Sequence, residues 1–275
     1  MTTLIPEIKP GQSLELLKEL HILTRDGKLN QDTRRKLKQV YHLYNFIEPL
    51  LAKVEAEDRP YNLVDHGAGK SYLGFILYDL FFKNSKQGKV IGIETREDLV
   101  VKSKELARKL NFNRMDFHHL SVEDSISSPL LPATTDIVTA LHACDTATDD
   151  AIAFALEKKA KFLVLVPCCQ AEVASSLRKH KGNNLGKSVL TEIWRHPIHT
   201  REFGSHITNV LRCLELESHG YQVTVTELIG WEHSMKNELI VAQYKDLPRN
   251  HPKQKLETLL NELNLEDLKF RFLKG

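Results

Sequence analysis

From Leu37 onward the apolar positions Val40, Tyr41, Tyr44, Ile47, Leu51 and Val54 recur at three- and four-residue steps, which places them on one face of a helix. Pro49 inside this run is expected to kink or restart it. Leu14, Leu17, Leu20 and Leu23 extend the helical pattern upstream, and the polar stretch Glu55 to Pro60 marks its end. The organisation expected is a helical segment over 1–58, a main domain over 59–247 and a helical tail over 248–275.

After Pro60 the period changes. Short aliphatic runs (Leu63-Val64, Val90 to Ile93, Met115 to Leu120, Asp136 to Ala140, Phe162 to Val166) alternate with helical patterns at Ser71 to Phe82, Glu97 to Leu110 and Thr146 to Lys158. Thr95 followed by Asp98 reads as a capping box opening the second of these helices. Such alternation predicts parallel strands joined by crossover helices, a sheet covered on both faces. The last third differs: a helix over about Phe203 to His219 ends at Gly220, and the runs Tyr221 to Ile229 and Leu239 to Tyr244 follow with only a loop between them. Those two strands should therefore be antiparallel neighbours. Leu256, Leu259, Leu260 and Leu263 place a tail helix back on the domain.

Composition narrows the class. The chain has 275 residues, 41% of them hydrophobic and 27% charged, an ordinary globular balance. The opening ten residues carry Glu7, Lys9 and two prolines, which reads as neither signal nor transit peptide. Tyr72 to Phe82, the most apolar helical stretch, contains Asp79 and falls short of the roughly 20 residues a bilayer span needs. With four cysteines and no secretory pattern, reduced thiols and a cytoplasmic location are expected, without a membrane partner. The net charge of +2 is small, but basic residues gather at Arg25 to Lys38, Arg178 to Arg201 and Arg249 to Lys255. Solvated faces and an RNA contact are both open readings of these clusters.

The chemistry starts where the first strand of the alternating region runs through Asp65-His66 into Gly67-Ala68-Gly69 and then a helix. Glycines there let a ligand approach the backbone. A phosphate-binding P-loop would need a glycine five positions before Gly69, where Val64 stands. A dinucleotide loop would want a glycine at Tyr72. S-adenosylmethionine, which has no pyrophosphate, fits better: Asp65 can meet its ammonium group, and Glu94 at the tip of the second strand can accept from both ribose hydroxyls. Glu123 and Asp124, after the third strand, are candidates for the adenine amino group.

Ligands of open α/β sheets lie outside the carboxyl ends of the strands, so the segments after the fourth and fifth strands should line the reaction site. The first runs Leu141-His142-Ala143-Cys144 on to Ala147-Thr148-Asp149; the second is Pro167-Cys168-Cys169-Gln170. Glu232 to Asn237 precedes the last strand. In these three places the sequence, over roughly Arg34 to Tyr244, resembles the class I methyltransferase-domain family that includes eukaryotic tRNA 2′-O-methyltransferases and uncharacterised methyltransferase-like proteins. The resemblance implies a Rossmann-like α/β fold, with a seven-stranded, mostly parallel sheet and an antiparallel last strand, preceded here by a helical extension. It also implies S-adenosylmethionine as cofactor, S-adenosylhomocysteine as product, and methyl transfer to RNA; protein or small-molecule acceptors, or a binding module without turnover, are the alternatives. The tRNA enzymes follow their cysteine pair with histidines and carry zinc-finger modules, where this chain has Gln170 and Ala171, and no metal is expected.

Methyl transfer is an in-line displacement, so residues must position an acceptor and, for a hydroxyl, take its proton. His142 is the candidate base, with Leu141 and His142 also lining the cofactor. Cys144 and Cys168 are either nucleophilic thiolates, metal ligands with His142, or small buried side chains. Lys236 and Asn237 could grip a substrate phosphate or carboxylate, or simply tie down their loop.

Overall fold

The computed structural model of the chain describes residues 6–141, 146–167, 170–179, 189–228 and 238–273. Its centre is one seven-stranded sheet: β1 (Tyr61–His66), β2 (Gly88–Glu94), β3 (Met115–His119), β4 (Ile137–Leu141), β5 (Phe162–Val166), β6 (Tyr221–Glu227) and β7 (Glu238–Tyr244). The spatial order is β3-β2-β1-β4-β5-β7-β6, with β1 to β5 parallel and β7 antiparallel to both β5 and β6. The expected class I methyltransferase sheet is therefore present, closing antiparallel hairpin included.

Alternation along the strands assigns each face its helices. Leu63 of β1 and Val90 of β2 join a cluster with Leu16 and Leu17 of α1 (Leu14–Glu19), Leu37, Ile47 and Leu51 of α2 (Gln31–Glu55) and Phe75 of α3 (Tyr72–Leu77). The next residues, Val64 and Ile91, face the other way, toward Ile152 and Phe154 of α6 (Thr146–Glu157) and Leu216 of α8 (Pro197–Ser218). Between these come α4 (Glu97–Lys109), α5 (Val122–Ser127) and α7 (Glu172–Lys179). The tail helix α9 (Asn250–Glu262) buries Leu256 and Leu260 against Val173, Leu177 and Leu211, and α10 (Lys269–Phe272) adds Phe272 to that cluster.

Four local expectations change. Pro49 lies inside α2, which runs unbroken from an Asn30 capping box to Glu55. One missing backbone donor is outweighed there by a buried face that extends from Leu37 to Val54 on both sides of the proline. The helix expected over Ser71 to Phe82 is α3 followed by a π-helical turn, Tyr78–Phe82, whose Asp79 turns inward to accept the Ser13 amide at 2.7 Å. At α4, Arg96 and not Thr95 is the N-cap, without a side-chain cap; Thr95 Oγ1 donates instead to Glu94. Finally, α8 begins at Pro197, six residues before the expected start, because proline suits a first helical position.

Candidate active site

The carboxyl end of β1 sits between β2 and β4, where the strand order reverses, and that is where a ligand crevice forms in such sheets. Gly67 and Gly69 both have positive φ, 67° and 58°, so the loop bends in a way that glycine adopts without strain. Two bonds fasten it to β2: the Ala68 amide donates to the Ile93 carbonyl at 2.9 Å, and the Gly69 amide donates to Glu94 Oε2 at 2.7 Å. Gly92, the residue of β2 opposite Asp65, has no room for a side chain, since a Cβ would come within 2.6 Å of the Phe117 ring.

Asp65 is 2% exposed and accepts from Thr139 Oγ1 of β4 at 2.9 Å, the residue opposite it in the sheet. Burial pushes its carboxyl up to about 6; the Thr139 and Ser71 hydroxyls oppose this, and the charge of Glu94 adds to it. A Cβ at Gly74 would lie 2.5 Å from Ser71 Oγ, at the N-cap of the same helix, and in ordinary contact with Asp65 Oδ2 at 3.7 Å, so a side chain there would have to displace the Ser71 hydroxyl. His66, pointing to the opposite face, rests against Phe154 with ring centroids 5.5 Å apart, and neither ring nitrogen has a hydrogen-bond partner among the described residues. Burial lowers its pKa to about 4, so the ring is neutral near pH 7.

Glu94 is 8% exposed and already well occupied. Besides Gly69, its oxygens accept from the Arg96 amide at 3.0 Å, from Arg96 Nε at 3.1 Å, and from Arg96 Nη2 and Thr95 Oγ1 at 3.3 Å. Burial alone would raise its pKa, but these donors outweigh burial and hold it below the usual glutamate value. This environment bears on the ligand. Two carboxylates flank the loop, and the Gly69 amide that could hold a phosphate is engaged by one of them. Such a cradle suits a ligand with an ammonium and hydroxyls and repels a pyrophosphate. The residues present therefore fit S-adenosylmethionine.

The remaining candidates spread out. Leu141 ends β4 half-buried, beside Val166. Glu123 and Asp124 are exposed in the first turn of α5, and Asp124 is tied to the helix cap, accepting from Ser121 Oγ at 2.6 Å. His142, Cys144, Cys168, Lys236 and Asn237 lie outside the described residues. Cys213 is partly buried in α8, where burial pushes its thiol up to about 12.

What the sequence did not reveal is a buried polar network beside these strand ends. Arg212 of α8 holds Asp149 of α6 through two bonds, Nε to Oδ1 at 2.6 Å and Nη2 to Oδ2 at 2.9 Å, with both side chains at most 3% exposed. Arg212 Nη1 also donates to Asn209 Oδ1, as does Gln170 Nε2 at 3.0 Å; Gln170 in turn accepts from Ser205 Oγ, and Asn209 donates to Glu238. Asp149 ends the His142 to Asp149 motif, but a partner 63 residues away on an amphipathic helix leaves no local sequence signal.

Among curated proteins, the chain is similar to the glutathione S-transferase C-terminal domain-containing proteins of Bos taurus (24% identical over 234 residues) and Mus musculus (23% over 234). Each match covers 79% of this chain and 34% of the relative, so the chain spans about a third of the length of those proteins. Similar solved structures include the magnesium protoporphyrin IX methyltransferase of Synechocystis PCC 6803 with bound S-adenosylhomocysteine, 14% identical with a TM-score of 0.45, covering 84% of this chain and 93% of that one. M. capricolum TrmK in complex with S-adenosylhomocysteine is 12% identical with a TM-score of 0.42, covering 72% and 69%. A family model described as a methyltransferase domain matches residues 35–176, from α2 through α7 and so across the glycine loop, Glu94 and the two strand-end motifs. That match takes in more than half of the sequence, and the chain belongs to this methyltransferase domain family.

Proposed function

We propose that the protein is an S-adenosylmethionine-dependent methyltransferase acting on RNA. The observation that carries the cofactor reading is the glycine loop at the sheet's switch point, pinned to Glu94 and bordered by buried Asp65. When bound, the cofactor supplies an electrophilic methyl group on a sulfonium. Asp65 would hold the ammonium end, Glu94 the ribose, and Gly67, Ala68 and Gly69 would give the backbone room; Leu141 and, by its place in the sequence, His142 are assigned to the cofactor too, and Asp124 and Glu123 to its adenine group. His142 is the base assigned to a hydroxyl acceptor, Lys236 and Asn237 are the groups assigned to orient that acceptor, and Cys144 and Cys168 are further candidates from the same strand-end motifs. Residues 59–247 form the catalytic unit, with 1–58 and 248–275 as additions to it.

The RNA part rests on charge. Arg35, Lys36 and Lys38 are exposed on α2; Arg195, just before α8, and Arg201, within it, have side chains 70% and 54% exposed, each paired with a neighbouring glutamate, Glu192 and Glu202. Clustered, solvated cations of this kind attract a phosphate backbone. Among the described residues no helix is long and apolar enough to cross a membrane. Incubation with methyl-labelled S-adenosylmethionine and total cell extract tests the reading: label that is lost on ribonuclease treatment is expected. Ribonuclease-resistant label would move the acceptor to protein or a small molecule, and binding without any transfer would leave a cofactor-binding module.

A further inference from the structure

Glu94 is fully subscribed before any ligand arrives. A carboxylate offers about four lone-pair sites, and five donors converge on this one: the Gly69 and Arg96 amides, Arg96 Nε and Nη2, and Thr95 Oγ1. A ribose diol bound through Glu94 needs two of those sites. The backbone amides are fixed by the loop and by the start of α4, so the sites must come from side chains. Arg96 is the movable one. Its side chain is 63% exposed, and its guanidinium reaches across to the glycine loop, where Nη2 would lie 3.7 Å from a Cβ at Gly69. The guanidinium thus stands on the face of the loop that a ligand must share.

We propose that Arg96 is a resident occupant of the ribose subsite and that swinging it off Glu94 is part of cofactor binding, so that this one side chain sets the cofactor affinity. The inference rests on the reading of Glu94 as the ribose-binding carboxylate. In the free protein Arg96 keeps a nearly buried carboxylate paired, which holds the loop in its binding shape. On binding, its two side-chain bonds are exchanged for those of the ribose hydroxyls, and the guanidinium moves into water, where its own exposure makes that inexpensive. The affinity is lowered by whatever the displaced pair was worth.

Calorimetric titration of the 275-residue chain with S-adenosylhomocysteine tests this, comparing wild type with Arg96→Gln and Glu94→Gln in low salt and in about 0.15 M salt. Arg96→Gln is expected to bind about three- to fivefold more tightly in low salt, as befits loss of a competing ion pair of this exposure. The advantage should shrink as salt screens the pair in the wild type. Glu94→Gln should bind more weakly than either. Equal or weaker binding by Arg96→Gln, or a gain insensitive to salt, would overturn the inference about Arg96. Undiminished binding by Glu94→Gln, or no binding by any of the three, would instead overturn the placement of the ribose and with it both readings. A cooperative thermal unfolding transition in each of the three proteins verifies that all are folded.

Discussion

The Gly69 amide donates to Glu94 Oε2 at 2.7 Å, so the tip of the second strand holds the bend of the loop that leaves the first. Two glycines meet this arrangement for different reasons. At Gly69 the φ of 58° is the obstacle and space is not, since a Cβ has no neighbour closer than 3.7 Å; Gly69→Ala should cost about 1 kcal/mol. At Gly92 the obstacle is the Phe117 ring at 2.6 Å, and Gly92→Ala must displace a buried aromatic at a cost of roughly 1–3 kcal/mol. Urea denaturation of the two variants should rank Gly92→Ala as the less stable, and the reverse order would contradict this assignment of causes.

Asp65 and pH. Its carboxyl titrates at about 6 in the folded chain against 3.8 in the reference state, so folding takes up a proton between those values. The charged form therefore opposes folding above about pH 6, and the opposition fades as the pH falls toward 4. Asp65→Asn should raise stability by up to roughly 3 kcal/mol near pH 8, less the worth of the Thr139 bond, and by little near pH 4. The same variant should lose S-adenosylhomocysteine binding. A stability gain that is independent of pH would refute the burial argument.

His66 works in the other direction. Its folded pKa is depressed to about 4, so its contribution is present above about 6.5 and disappears as the pH falls through 4. His66→Leu removes two buried ring nitrogens that lack partners among the described residues and should stabilise the chain by about 1 kcal/mol at neutral pH. It should also blunt the acid sensitivity between about pH 6.5 and 4. Equilibrium unfolding across that range measures both, and an unaltered acid limb would count against His66 as its source.

The Arg212–Asp149 pair should behave as a buried ion pair does, with the stranded charge dominating. Arg212→Leu alone leaves Asp149 unpaired and should cost about 3–5 kcal/mol. Pairing it with Asp149→Leu should recover most of that loss. Chemical denaturation of the single and double variants decides the matter: additive losses would mean that the pair is not coupled.

The strands and their order of use were legible because each is a compact aliphatic run and the crossover helices carry their own period; the observed β1 (Tyr61–His66) and β5 (Phe162–Val166) differ from the expected runs by two residues at most. The antiparallel hairpin followed from a loop too short for a helix. In the candidate site, the bend at Gly67 and Gly69 and the place of Glu94 at the tip of the second strand could be read from the local pattern. What escaped were partnerships across sequence: Asp65 with Thr139, 74 residues on, and Asp149 with Arg212. The capping box at Thr95 failed for a related reason, because its hydroxyl and the Arg96 amide are drawn back to the Glu94 carboxylate. A sequence window shows which groups can bond, but the sheet register decides which of them meet.

The position of β7 has a further consequence. Phe162 to Val166 of β5 is wholly apolar and buried, and among the described residues its outer hydrogen-bonding edge is closed by β7 alone, a strand contributed some 75 residues later. A fragment covering just the matched 35–176 would present that ribbon as a bare edge, a template for strand addition between molecules. During synthesis the same edge must wait for α8 and β6 to emerge before it is covered. The C-terminal hairpin thus guards the sheet against self-association, a duty quite apart from any part it has in holding a substrate.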